Sequence, residues 1–206
     1  MDGRADPRAR DAGATRAFFA PRAATWEQRF PDDGPAYAAA VAELGLVAGK
    51  AALDAGCGTG RALPFLRGAV GPDGTVVGVD ITPEMLATAR GYGRDAHAAL
   101  VLADACDLPL ADGSVDASFA AGLLSHVPDP GRALAELARV ARPGGRLILF
   151  PPVGRAALAA RRGRVPRDDD TLARAPLDRL MRRTGWHLER YEDGEARFLA
   201  AARRQR

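Results

Sequence analysis

The stretch Leu53 to Gly60 reads LDAGCGTG and sets glycines at 56, 58 and 60; twenty residues past the last of them, VVGVD ends in Asp80. Alternating glycines let the backbone turn sharply and bring bare main chain against a ligand. A helix following such a loop aims unpaired N–H groups at whatever sits there, which suits a carboxylate or a phosphate. The dinucleotide fingerprint G-x-G-x-x-G asks for a glycine at 61, where this chain has Arg61. Asp54, two residues before Gly56, repels a pyrophosphate and attracts an ammonium. A ligand carrying both amine and carboxylate therefore fits this loop better than a dinucleotide does.

Two further carboxylates extend the pattern. Asp80 closes TVVGVD, a position from which an acid accepts hydrogen bonds from both hydroxyls of a ribose. Asp104 closes ALVLAD, within reach of an exocyclic adenine amine. Each acid alone has a plainer reading, Asp80 as a helix cap and Asp104 as part of a solvated turn. Both at consecutive strand ends after a glycine loop describe an amino acid joined to adenosine, which is S-adenosyl-L-methionine.

These residues need a sheet to hold them. AALDA, TVVGVD, ALVLA, VDASFA and RLILF read as strands, and RALPFLRGAV, PEMLATAR and PGRALAELARVA as helices. Such alternation predicts an α/β domain with a doubly wound, mostly parallel sheet. Thr82 before Pro83 reads as a helix N-cap, and the Arg142–Gly145 run RPGG as a helix stop leading into RLILF. LDRLMRRTGW reads as a helix ended by Gly185, and WHLERYE and ARFLAAAR, joined by Asp193-Gly194, as an antiparallel hairpin. Residues 1–13, polar and rich in Arg, Asp and Gly, are expected to be a disordered tail.

With LDAGCGTG, VVGVDITPEML, LADACDLPLADGSVDAS and ARVARPGGRLIL in this order, the chain resembles the class I S-adenosylmethionine-dependent methyltransferases. It is similar to their small-molecule type, represented by the ubiquinone and menaquinone C-methyltransferases. The likeness is close over about residues 48–151 and loose over the hairpin. It implies a seven-stranded Rossmann-like sheet in the order 3-2-1-4-5-7-6 with strand 7 antiparallel, and transfer of a methyl group by in-line displacement. It also implies that Gly56, Gly58 and Gly60 wrap the methionine part, that Asp80 holds the ribose and that Ile81 packs on adenine near Asp104. Ala121 and Gly122 then lie beside the methionine amino group, and Asp54, Cys57, Met85 and Ala105 complete the expected cofactor contacts.

On this reading residues 14–206 form one methyltransferase domain: an N-terminal helical lid (14–46), a cofactor-binding core (48–151), and an acceptor-side insertion with the closing hairpin (152–206). The front holds Phe18, Phe19, Trp26, Phe30 and Tyr37, five of twelve aromatic residues, which suits either a lid over the cofactor or a helix packed on the sheet. Transfer to a hydroxyl, amine or acidic carbon needs a base, and among three histidines His126, in GLLSHVPDP, follows the fourth strand on the expected acceptor rim. The same residue could simply shape its loop. Arg161, Arg162, Arg164 and Arg167 offer charge for an acidic acceptor, but Asp168, Asp169 and Asp170 make a solvated, balanced charge run the simpler reading.

The composition bounds the alternatives. With 206 residues and 47% hydrophobic content the chain suits one globular domain. No apolar run approaches the length of a membrane span, and the N-terminus lacks the apolar core of a secretory signal, so a cytoplasmic location is expected. Cys57 and Cys106 are the only cysteines. Cys57 lies inside the glycine loop after strand one and Cys106 just past Asp104 after strand three; two strand spacings put them out of disulfide reach, and they read as small packing residues. No metal-ligand spacing is present.

Residues 155–206 hold 14 Arg against 8 acids, whereas residues 1–154 hold 15 Lys+Arg against 18 acids. A basic tail can signal nucleic acid, yet one lysine against 28 arginines points to a compositional bias instead. The expected partner is a small-molecule methyl acceptor, with no nucleic acid and with a monomer or homodimer as the assembly. The rival readings are an RNA methyltransferase, a non-catalytic S-adenosylmethionine-binding protein and an NAD-dependent oxidoreductase.

Overall fold

The computed structural model describes residues 12–29, 33–151, 153–160, 163–195 and 197–205. The tail expected over 1–11, Phe30, Arg161 and Arg162 lie outside the described residues. Seven strands form one sheet: β1 (Ala51–Ala55), β2 (Thr75–Asp80), β3 (Ala99–Leu102), β4 (Val115–Ala120), β5 (Ala141–Leu149), β6 (Trp186–Asp193) and β7 (Phe198–Arg204). Their order is β3-β2-β1-β4-β5-β7-β6. β1 to β5 pair in parallel, and β7 runs antiparallel to both β5 and β6.

The helices are α1 (Ala12–Phe19), α2 (Gly34–Ala42), α3 (Leu63–Val70), α4 (Pro83–Gly91), α5 (Pro130–Val140), α6 (Arg155–Ala160) and α7 (Arg174–Arg183). α1 already starts at Ala12, so Ala12 and Gly13 are helical rather than part of a tail. Among the described residues no helix is long and apolar enough to cross a membrane.

The central strands are apolar on both faces because helices cover both. Ala52, Phe119, Ile148 and Leu199 face one layer with Tyr37 and Val41 of α2 and Leu63 and Leu66 of α3. Leu53, Leu147, Leu149 and Phe198 face the other, with Leu134 and Leu137 of α5 and Leu177 and Met181 of α7. Trp186 is fully buried, and its indole N–H donates to the Leu134 carbonyl at 2.9 Å, fixing the hairpin onto α5.

Three local expectations change. The RPGG run is not a turn ahead of its strand: β5 already begins at Ala141 and takes the run in as an irregularity, its register moving from Val115↔Ala141 to Ala117↔Arg146. Gly144, at φ +76°, supplies the left-handed residue this needs. α3 starts at Leu63 rather than directly after Gly60. Thr82 occupies the N-cap place of α4 without a capping bond from its side chain. Its N–H donates to Asp80 Oδ1 at 2.8 Å, so the carboxylate, the stronger acceptor, organises the helix entry.

The chain direction across the sheet reverses between β1 and β4, so the connections leave their carboxyl ends on opposite faces. That divergence opens a crevice there.

Candidate functional site

A cavity of about 320 Å³ fills the crevice, in the size range of small-molecule sites. Asp54, Gly56, Cys57, Gly58, Asp80, Ile81, Met85, Asp104, Ala105, Ala121, Gly122 and His126 all line it. Gly60 does not. It sits at φ +80°, and a Cβ there would come within 2.8 Å of Leu63 Cδ1 and 3.2 Å of Arg94 Cδ. Its work is to turn the chain and let Leu63 pack.

The glycine loop is tied down by its own backbone. The N–H groups of Gly56 and Cys57 both donate to the Val79 carbonyl, at 2.8 and 2.9 Å, and Gly60 N–H closes a turn on the Cys57 carbonyl at 2.8 Å. Gly58 N–H donates to Asp80 Oδ2 at 2.8 Å. A Cβ at Gly56 would strike Leu123 Cδ1 at 2.9 Å, whereas a Cβ at Gly58 would meet no atom within 4 Å. Gly58 therefore presents bare backbone to the open cavity.

The carboxylates around the loop differ in their partners. Asp80 accepts from Gly58 and Thr82, yet burial still raises its pKa against those two hydrogen bonds. Asp54 is 2% exposed, and among the described residues no hydrogen bond or ion pair reaches its carboxylate. Burial, and then the charge of Asp80, push its pKa up to about 8. Asp104 Oδ1 accepts from Cys106 N–H at 2.8 Å. Both cysteines are free and buried. Burial lifts Cys57 well above the ordinary thiol range and Cys106 to about 11, so neither is a thiolate nucleophile near neutral pH.

The opposite wall comes from the N-terminal segment. Thr15 Oγ1 donates to the His126 carbonyl at 2.7 Å, and Arg16 Nε to the Ile81 carbonyl at 2.9 Å. The rings of Phe18 and Phe19 lie 6.0 and 4.8 Å from the His126 imidazole, and Phe19 meets Trp26 at 5.5 Å. Thr15, Phe18, Phe19, Trp26 and Tyr37 all line the cavity.

Behind this wall stands an ionic cluster that was not apparent in the sequence. Glu27 accepts from the Thr59 hydroxyl and, at 2.8 and 3.0 Å, from Arg94, and it lies 3.7 Å from Arg61 Nε. Asp33 pairs with Arg61, which also lies over the Tyr37 ring. Arg94 further donates to the Thr59 carbonyl. Burial raises the pKa of Glu27, but the hydrogen bonds from Arg94 and Thr59 outweigh it and hold the group below the ordinary carboxylate range. At Asp33 burial wins over Arg61, and the pKa is raised. The cluster joins the N-terminal segment to the glycine loop at Thr59 and to the α4–β3 connection at Arg94.

Several arginines of the tail are matched by acids. Arg155 pairs with Asp170 and Asp193, Arg167 with Asp169, Arg197 with Glu192 and Arg203 with Glu189. Within the run itself Arg167 pairs with Asp169, and Asp170 turns to Arg155, while Arg161 and Arg162 lie outside the described residues. Among the described residues no group of His, Cys, Asp and Glu is placed to hold a metal ion.

Residues 53–149, which carry the glycine loop and the strand-end acids, match the methyltransferase domain family. They form a methyltransferase domain. An uncharacterized 37.1 kDa protein in transposon TN4556 of Streptomyces fradiae is 48% identical to it over 105 residues, which is 50% of this chain and 30% of that protein. The 27-O-demethylrifamycin SV methyltransferase of Amycolatopsis mediterranei is 41% identical over 110 residues, 52% of this chain and 40% of its own. The chain thus spans under half the length of these curated relatives. A SAM-dependent methyltransferase from Aquifex aeolicus has the same fold, with TM-score 0.69 at 24% identity, covering 94% of this chain and 98% of that one. The methyltransferase domain therefore sits in a Rossmann-like sheet completed by the antiparallel strand β7.

Proposed function

We propose that the chain binds S-adenosyl-L-methionine at the glycine-loop end of the cavity and transfers its methyl group to a small-molecule acceptor held at the other end. The observation that carries this reading is Asp54. A carboxylate buried to 2% exposure with no cationic partner among the described residues is costly to ionise. An ammonium placed beside it removes that cost, and a dinucleotide pyrophosphate would increase it. The residues present fit the cofactor: bare backbone at Gly58, Asp80 at the end of β2 for ribose hydroxyls, Asp104 beyond β3 for an adenine amine, and Ile81 and Met85 as apolar contacts.

When bound, the cofactor supplies a methyl group on a positively charged sulfur, already electrophilic. The chain's part is then mostly to align and to exclude water. The segment 12–29 lies along the cavity mouth and acts as a lid over both substrates. His126 stands on the acceptor rim, held through its carbonyl by Thr15, and takes the proton that a hydroxyl or amine acceptor gives up. An RNA acceptor is disfavoured, because Arg155, Arg167 and Arg203 of the basic tail are engaged by neighbouring acids.

Equilibrium titration with S-adenosylmethionine and with NAD tests the reading: binding of the first and not the second is expected, and the reverse overturns it. With an acceptor identified, full turnover by His126→Ala would remove that residue from the proton transfer.

A further inference from the structure

The cavity has two chemically different ends, and the second is not accounted for by the cofactor. The glycine-loop end carries Asp54, Asp80 and Asp104. The far end is walled by Phe18, Phe19 and Trp26 from the N-terminal segment and by Val153 and Leu158 from the segment after β5. The one arginine lining the cavity, Arg61, is engaged by Glu27, Asp33 and the Tyr37 ring. Arg155, next along the chain to the apolar wall, does not line the cavity and is held by Asp170 and Asp193.

We infer that this far end is an acceptor subsite for an uncharged, flat, apolar molecule, with Phe19 and Trp26 as its walls, and that it rejects anionic acceptors. The inference rests on the cofactor reading above. An anion entering here loses its hydration; Arg61 is already engaged, His126 has to be neutral to serve as the proposed base, and carboxylates line the opposite end. A flat apolar skeleton meets ring faces already arranged edge to face at 5.5 Å, and so loses little by entering. Nothing in this wall selects among hydroxyl, amine and carbon nucleophiles on such a skeleton.

The test uses the full chain loaded with S-adenosylhomocysteine and titrated calorimetrically with two probes of one shape, 2-naphthol and 2-naphthoate. The neutral probe is expected to bind more tightly by about tenfold or more, the scale set by desolvating an unpaired charge. Phe19→Ala should weaken 2-naphthol by about tenfold while leaving the S-adenosylhomocysteine affinity within about threefold. Should Phe19→Ala not fold, Val153→Asp, which places a charge in the apolar wall, should give the same split. Trp26 offers a second readout: it lines the cavity while Trp186, the other tryptophan, is fully buried, so its fluorescence should change with 2-naphthol. Equal or tighter binding of 2-naphthoate, or no binding of either probe to the loaded protein, overturns this inference and leaves the cofactor reading standing. Failure of S-adenosylhomocysteine itself to bind overturns both.

Discussion

The two ends of the cavity are built by different means. At the glycine-loop end the ligand-facing groups leave the carboxyl ends of β1, β2 and β4, locked in parallel register, and the loop is tied by backbone bonds to Val79. At the far end the N-terminal part of the wall is one short helix and two 3₁₀ helices, Ala20–Thr25 and Glu27–Arg29, which bury a single residue, Ala23. It is held largely by side chains: Thr15 to His126, Arg16 to Ile81, Glu27 to Thr59 and Arg94. The first end is fixed with the sheet. On the proposed reading, opening the second would cost only those hydrogen bonds, which suits a place where one substrate enters after another.

The largest effect should follow from filling the first end. Gly58→Leu points a side chain into open cavity and should weaken S-adenosylhomocysteine by about a hundredfold or more, while the left-handed backbone costs about 1–2 kcal/mol of stability. Calorimetry and thermal melts check the two separately. A variant that binds as the parent does would show that the ligand lies elsewhere.

Next in size is the tie between the ends. Glu27→Ala leaves Arg61 and Arg94 without a shared acceptor and frees Thr59, with an expected loss of about 2 kcal/mol. Limited proteolysis should then cut the N-terminal segment faster, with residues 51–204 protected as before. Cleavage at the parent rate would show that Glu27 does not hold the wall.

The third effect is a pH dependence confined to the first end. Asp54 has a folded pKa of about 8, against about 3.9 when unfolded. Between those values the folded state keeps a proton that the unfolded state has lost. Its contribution to stability therefore falls as pH rises through that window and is flat above about 8. A cationic ligand prefers the ionised group, so binding releases a proton below about pH 8, and affinity should rise from pH 6 to 8. Asp54→Asn should remove this rise. The ligand's own amine titrates in both proteins and cancels in the difference. A parallel pH dependence in the two proteins would exclude Asp54 as the ammonium partner.

The smallest effect belongs to the outer wall. Arg16→Ala removes one exposed hydrogen bond to Ile81 and should cost about 0.5 kcal/mol of stability, leaving the cofactor affinity unchanged. A large loss of cofactor affinity would instead make Arg16 part of the cofactor end.

The first end was legible in the sequence because its parts are contiguous. LDAGCGTG, the strand TVVGVD and its closing Asp80 each occupy one run, and periodicity locates such runs. Even so, alternation alone did not show that Gly60 faces Leu63 rather than the cavity, since all three loop glycines look alike. The Glu27 cluster was not legible. Its members are separated by 32 residues to Thr59 and 67 to Arg94, and an isolated glutamate in a polar stretch carries no signal of a partner that distant. The start of β5 was missed for a third reason: Pro and two glycines usually end an element, but here Gly144 lets the strand absorb them.

The central claim is that the acids Asp54 and Asp80 and a bare loop hold one zwitterionic nucleoside, and calorimetric titration of the full chain with S-adenosylhomocysteine tests it most directly. One site per chain is predicted, with Asp80→Ala weakening it by about a hundredfold, since that carboxylate makes charge-assisted hydrogen bonds. No heat from well-folded protein, or equal affinity in Asp80→Ala, would contradict it.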